Sequence, residues 1–221
     1  MDIEELAKKI DHTILGGNIN KEEIIKKCEE VRENCFASLC TVPYYVELVA
    51  AELKDTDSKV CTVVGFPLGN TNKDSKIKET QNALEDGAEE IDMVMNISAF
   101  KDEKYNYVEN EIREIVRITD NFNSDFIVKV IIETCYLDNS EIKKACELVK
   151  KAGADYVKTS TGFGTAGAKT EDVKLMREVV GKEFGVKASG GIGDYDDALK
   201  MIEAGASRIG ASSGVNILNS K

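Results

Sequence analysis

DYVKTSTGFG, residues 155–164, runs from an apolar strand-like segment into small hydroxyl residues and glycines, with Lys158 at the junction. A lysine that faces a core is costly to desolvate unless it is paired or has a task. The same Val-Lys step recurs in IVKVII at Lys129 and in GVKASGG at Lys187, so the three lysines follow one another at 29-residue intervals. An interval of that length holds one strand, one helix and two short loops. The repeat therefore reads as consecutive βα units, with lysines at similar heights on three neighbouring strands. Adjacent strands lie ~5 Å apart, so inward-facing ammonium groups converge at the mouth of the sheet. Asp92, in EIDMVMN, lies on the strand just before them. The competing reading, lysines that point outward and snorkel to the rim, has to hold three times at matched positions.

Working outward, eight short apolar runs alternate with amphipathic segments. Strands are expected at 12–15, 36–41, 60–66, 90–96, 126–132, 155–160, 185–189 and 208–212. Between them lie helical patterns such as NKEEIIKKCEEVREN, which opens on Asn20 as an N-cap. The runs are β-branched rather than cleanly alternating, as in parallel strands covered by helices. Eight such units predict an α/β fold, a closed (β/α)8 TIM barrel. The alternative is an open doubly wound sheet, disfavoured by the strand count and by the absence of an early GxGxxG. No linker or composition break divides the chain, so one domain over residues 1–221 is expected.

The net charge of −11 disfavours nucleic acid and anionic membrane surfaces as partners. No apolar run approaches the ~20 residues of a membrane span. The N-terminus lacks the basic and then apolar layout of a signal peptide, which leaves a cytoplasmic protein as the expectation. Six cysteines without a CxxC pair, and one histidine, His12, give poor support to a metal site. Most of the thiols read as packing. Cys40, at the end of the second strand, is expected near the mouth and open to electrophiles, with a buried thiol as the alternative.

Clustered lysines suit imine chemistry. A neighbouring positive charge and a dry site favour the neutral amine, which forms a Schiff base with an aldehyde or ketone. Such a site needs no metal, and Asp92 is the carboxylate available to move protons. SGGIGD (189–194) and GASSG (210–214) follow the last two strands, where backbone N–H groups of barrels often bind phosphate. Together these features fit the making or breaking of a carbon-carbon bond through an imine on a phosphate-bearing substrate, and a Schiff-base aldolase acting on a phosphorylated sugar or sugar acid is kept as an alternative to any narrower assignment. A phosphosugar isomerase and a non-catalytic sugar-phosphate binder on the same fold are the other readings.

The ordered set IDHTIL, VVGFPLG, EIDMVMN, VKVIIET, VKTSTGFG, KASGGIG and RIGASSG resembles the deoxyribose-phosphate aldolase family over nearly the whole chain. The resemblance implies reversible cleavage of 2-deoxy-D-ribose 5-phosphate to D-glyceraldehyde 3-phosphate and acetaldehyde, without cofactor, in deoxynucleoside catabolism. It implies Lys158 as the Schiff-base lysine, Lys187 as the lysine that tunes it and Asp92 as the acid/base. Lys129 joins their polar cluster. Asp11, Thr13, Thr161 and Gly162 match pocket positions, and Gly190, Gly191, Gly210, Ser212 and Ser213 match the phosphate loops. A homo-oligomer, dimer or larger, is also implied. Two departures stand out: Phe163 occupies a position that is basic in some members, and NILNSK lacks the terminal tyrosine that in some members assists proton transfer.

Overall fold

Runs rich in Val and Ile fit a pleated surface covered by helices, and all eight expected strands form. In the computed structural model, which describes residues 1–221, they are β1 (Ile10–Ile14), β2 (Ser38–Thr41), β3 (Lys59–Val64), β4 (Glu90–Val94), β5 (Ile127–Ile131), β6 (Tyr156–Lys158), β7 (Gly185–Ser189) and β8 (Arg208–Ala211). Each pairs in parallel with the next, and β8 pairs with β1, so the sheet closes into the expected barrel. The first strand begins two residues before the HTIL run. Asp11 can lie inside it because its charge is matched there by Lys187 and Arg208. The third strand stops short of the expected GF, since Gly65 turns the chain with a φ of 65°.

Ten helices accompany the strands: α1 (Ile3–Ala7), α2 (Lys21–Asn34), α3 (Val46–Leu53), α4 (Lys73–Glu85), α5 (Ile97–Lys101), α6 (Tyr105–Phe122), α7 (Asn139–Ala152), α8 (Thr170–Val180), α9 (Tyr195–Glu203) and α10 (Gly214–Asn219). Asn20 caps α2 in a reciprocal capping box with Glu23, as the sequence suggests, and Asp138 does the same for α7 with Glu141. The main core lies between the sheet and its helices. Ile91 and Met93 of β4, Val128 and Val130 of β5, and Val157 of β6 are among the side chains buried there. With a period of two along each strand, Glu90, Asp92, Lys129 and Lys158 then face the barrel interior.

Register corrects one expectation. Lys158 is level with Lys187, and Lys187 with Arg208. Lys129, however, pairs with Tyr156, while Ile131 pairs with Lys158. It therefore lies two residues deeper than its counterparts, level with Asp92. Closing a barrel staggers its strands, so equal sequence spacing does not give equal height. An offset of two residues keeps the inward orientation.

Candidate active site

The inward polar residues of six strands meet in one buried ion network. Asp92 Oδ2 accepts hydrogen bonds from Lys158 Nζ at 2.6 Å and Lys187 Nζ at 2.7 Å, and Oδ1 accepts from Lys129 Nζ at 2.8 Å. Lys129 also lies 2.5 Å from Glu90 Oε2. Lys187 pairs with Asp11, whose Oδ1 accepts from Arg208 Nη1 at 2.7 Å. Arg208 Nη2 closes the network on Glu90 Oε1 at 3.2 Å. Gly210 lets Lys187 pass: a Cβ there would meet Lys187 Cε at 3.0 Å. Four cations face three carboxylates, so the network carries one uncompensated positive charge.

Burial alone would push the Asp92 carboxyl up, but Lys129, Lys158 and Lys187 outweigh it and hold it well below the usual range. Asp11 behaves likewise, with burial outweighed by Lys187, Arg208 and Lys129. Burial works against the ammonium of Lys187, yet Asp11 and Asp92 raise it above the ordinary lysine value. Asp92, Cys61 and Glu90 do the same for Lys129, against the same opposition from burial.

Above the network opens a cavity of about 580 Å³. Lys158 is the network member that reaches its wall, and it is 3% exposed. Thr13, Thr161, Gly162, Ser189, Gly190, Gly191, Gly210, Ser212 and Lys27 also line it. No lining residue is acidic, although the chain carries a net charge of −11. Gly190 and Gly191 adopt φ of 87° and 78°, the left-handed region that favours glycine, and so turn the chain against the cavity. Phe163 stands at the rim, edge-on to Phe66 at 5.3 Å.

The structure thus brings together most of the residues singled out from sequence. Asp11, Asp92, Lys129 and Lys187 lie behind Lys158, and the threonines and loop glycines lie in front of it. Two placements differ. Ser213 does not line the cavity; its hydroxyl donates to the Ile192 carbonyl at 3.0 Å and ties the two glycine loops together. Cys40 is fully buried rather than open at the mouth. It faces into the barrel and packs with Cys61 and Val63 against Leu15 and Phe66. A hydrogen bond with Cys61 holds its thiol below the ordinary value despite burial.

Four participants were not foreseen. Glu90 lies two residues before Asp92 and shares its face by strand period, a legible signal. Arg208 opens β8 and could have been suspected as the partner of a buried acid. Glu133 accepts hydrogen bonds from the Thr161 N–H at 3.1 Å and from the Thr161 hydroxyl, fixing the STGFG turn. Lys27 sits among the exposed lysines of α2, with nothing in the sequence to mark it. The donor trios Cys40, Cys61, Asp92 and Asp11, Cys61, Glu90 are compact enough to hold a cation. Lys129 Nζ already contacts Cys61, Asp92 and Glu90 at 3.4, 2.8 and 2.5 Å and supplies the positive charge there.

Comparison with known proteins agrees with this geometry. The DeoC/LacD family aldolase model matches residues 6–220. A deoxyribose-phosphate aldolase of Caldanaerobacter subterraneus is 60% identical over 213 residues, 96% of this chain and 92% of that protein. The deoxyribose-phosphate aldolase of Clostridium tetani is 56% identical over 97% of this chain and 98% of its own length. The tetrameric deoxyribose phosphate aldolase of Aeropyrum pernix superposes with a TM-score of 0.93 at 34% identity, over 99% of this chain and 92% of that one. The chain therefore belongs to the DeoC/LacD aldolase family, among the deoxyribose-phosphate aldolases.

Proposed function

We propose that the protein cleaves 2-deoxy-D-ribose 5-phosphate reversibly to D-glyceraldehyde 3-phosphate and acetaldehyde, through an imine on Lys158. The observation that carries this reading is the cavity itself: a buried lysine at its base, hydrogen-bonded to Asp92, under a wall of glycine-rich turns without a carboxylate. The neutral Lys158 amine adds to the C1 aldehyde of the open sugar, and loss of water gives the protonated imine. Removal of the proton from the C3 hydroxyl breaks the C2–C3 bond. The bonding pair flows into the imine to give an enamine, and glyceraldehyde 3-phosphate leaves. Protonation at C2 and hydrolysis release acetaldehyde and restore the amine.

Asp92 touches the reacting nitrogen and is placed to exchange its proton; the C3 hydroxyl is reached through water. Its low proton affinity arises from three surrounding cations, so it becomes a better base when Lys158 turns neutral. The phosphate is held by backbone N–H groups of 190–193 and of the turn that follows β8, in a site without opposing charge. Incubation with acetaldehyde and borohydride tests the reading: one ethyl group is expected on Lys158, and labelling of Lys129 or Lys187 instead would overturn it. Retained activity after chelation is expected too, since every step uses the chain's own groups.

A homo-oligomer, dimer or larger, is the expected state, as the tetrameric Aeropyrum relative suggests, and light scattering measures it. No helix is long and apolar enough to cross a membrane. With its acidic charge and a phosphosugar substrate, the cytoplasm is the proposed location, with no nucleic acid partner.

A further inference from the structure

The cavity wall holds two cations, Lys158 and Lys27. The first is committed to the imine. The second stands on α2, which follows β1, while Lys158 ends β6. The glycine loops after β7 and β8 lie between them around the barrel. Lys27 Nζ contacts the Ser212 carbonyl at 3.3 Å, within the loop assigned to phosphate. Resting on the phosphosugar reading above, we propose that Lys27 is a specificity-determining residue that donates to the substrate phosphate, and that Glu30 and His12 position it.

The positioning group is well defined. Glu30 Oε2 accepts from Lys27 Nζ at 2.7 Å and lies 2.6 Å from His12 Nε2. His12 is fully buried and stacked on Phe36 at 4.9 Å, so it cannot swing away. Burial opposes the charge of Glu30, but Lys27 and His12 outweigh it and keep the carboxylate ionised. Burial holds His12 below its ordinary value, hence neutral. We assign the single ring proton to Nε2, because a 2.6 Å contact with an ionised carboxylate needs a donor there. That nitrogen then cannot accept from Lys27 Nζ, 2.9 Å away. An ammonium has three donors; Glu30 and the Ser212 carbonyl take two, and one remains for a ligand in the cavity.

A side-chain cation matters here because a phosphate dianion must enter a protein of net charge −11. Backbone N–H groups orient the ester but bring no full charge, and Phe163, the other large side chain at the loops, is apolar. Charge-assisted hydrogen bonds are about twice as strong as neutral ones.

The test compares Lys27→Met and Lys27→Arg with the unaltered enzyme in kcat/KM for 2-deoxyribose 5-phosphate and for 2-deoxyribose. Inhibition by inorganic phosphate and thermal unfolding are read alongside. Lys27→Met should lower kcat/KM for the phosphorylated sugar about 10- to 100-fold, with a much smaller loss on 2-deoxyribose. Inorganic phosphate should inhibit it correspondingly less, and Lys27→Arg should recover most of both. Equal losses on the two sugars, or unchanged phosphate inhibition, would overturn the proposal. If Lys27→Met does not fold, Lys27→Gln, which can still donate to the Ser212 carbonyl, is read by the same criteria. If the unaltered enzyme cleaves neither sugar, the functional reading fails, while calorimetric binding of inorganic phosphate to both proteins still decides the part played by Lys27.

Discussion

Replacing Lys187 with methionine removes a fixed positive charge from beside the proposed nucleophile and nearly keeps its volume. Asp11 and Asp92 raise Lys187 above the ordinary lysine value, so it stays charged across the working pH range. Lys187 and Lys158 share Asp92 Oδ2 at 2.7 and 2.6 Å. Their nitrogens therefore lie within about 5 Å, and at an effective dielectric of about 20 two unit charges at that separation repel by about 3 kcal/mol. That repulsion is worth about two pH units. The attacking amine must be neutral, and a neighbouring cation favours that form. Without it the amine keeps its proton to higher pH. Asp92, shared by one cation fewer, pushes the same way. The rising limb of kcat/KM for retro-aldol cleavage should thus move alkaline by about one to two pH units. The fold should survive, because Asp11 keeps Arg208 while Asp92 keeps Lys129 and Lys158. Initial rates between about pH 5 and 10, with thermal unfolding as control, give the answer. A folded variant with lower rates and an unmoved limb would refute the electrostatic argument and leave Lys187 a purely steric or substrate-contacting part.

Asp92→Asn should lower kcat about 10²- to 10⁴-fold and, by stripping one partner from three buried lysines, destabilise the fold by about 3–5 kcal/mol; near-full activity would remove Asp92 from the chemistry. Glu133→Gln keeps the shape of the side chain under the STGFG turn but replaces a charge-assisted acceptor, so about 1–3 kcal/mol of stability should be lost and KM should rise; unchanged kinetics would make Glu133 structural only. Asp11 and Asp92 are depressed below the unfolded carboxylate value of about 3.9, so their contribution is full above that pH and drains as the pH falls towards their folded values. Lys129 and Lys187 are raised, so theirs is full below about 10.4 and is lost as pH rises through the folded values. Urea midpoints should accordingly be flat from about pH 5 to 9 and drop on the acid side, with Asp11→Asn flattening part of that drop.

The barrel was legible because each strand-helix unit declares itself locally, through a β-branched run, a cap such as Asn20 and a helical stripe. Strand period and the order of Asp92, Lys129, Lys158 and Lys187 were enough to forecast their convergence. The height of Lys129 was not legible, because stagger belongs to the closed sheet and not to any one unit. Exposure of Cys40 was misjudged for a related reason: whether a strand end opens to solvent depends on what covers it, here Leu15 and Phe66 from other strands and loops. Lys27 and Glu133 act across elements, through His12 and Thr161. No periodicity separates such residues from the solvated charges around them.

The ion network also bears on Lys158 as the proposed nucleophile. Filling a barrel interior with apolar side chains is commonly as stable as filling it with ion pairs, or more so, so the network is weak as a stabilising device. Its imbalance is the informative part. Seven charged groups leave one positive charge in excess, and Lys158 is the one cation of the seven that reaches the cavity. The attacking amine is the form of Lys158 that leaves the other six groups in charge balance. Formation of the proposed protonated imine would restore a positive charge at the same nitrogen, against the same Asp92 oxygen. The carboxylate that holds the resting ammonium at 2.6 Å is therefore already aimed at the iminium that draws electrons from the breaking bond. Fixed charges that already point at the nitrogen where charge develops need no reorientation at the moment of reaction. On this argument moving the carboxylate matters more than weakening it: Asp92→Glu, which keeps the charge but shifts it by one methylene, should still lose most of the activity while retaining more stability than Asp92→Asn.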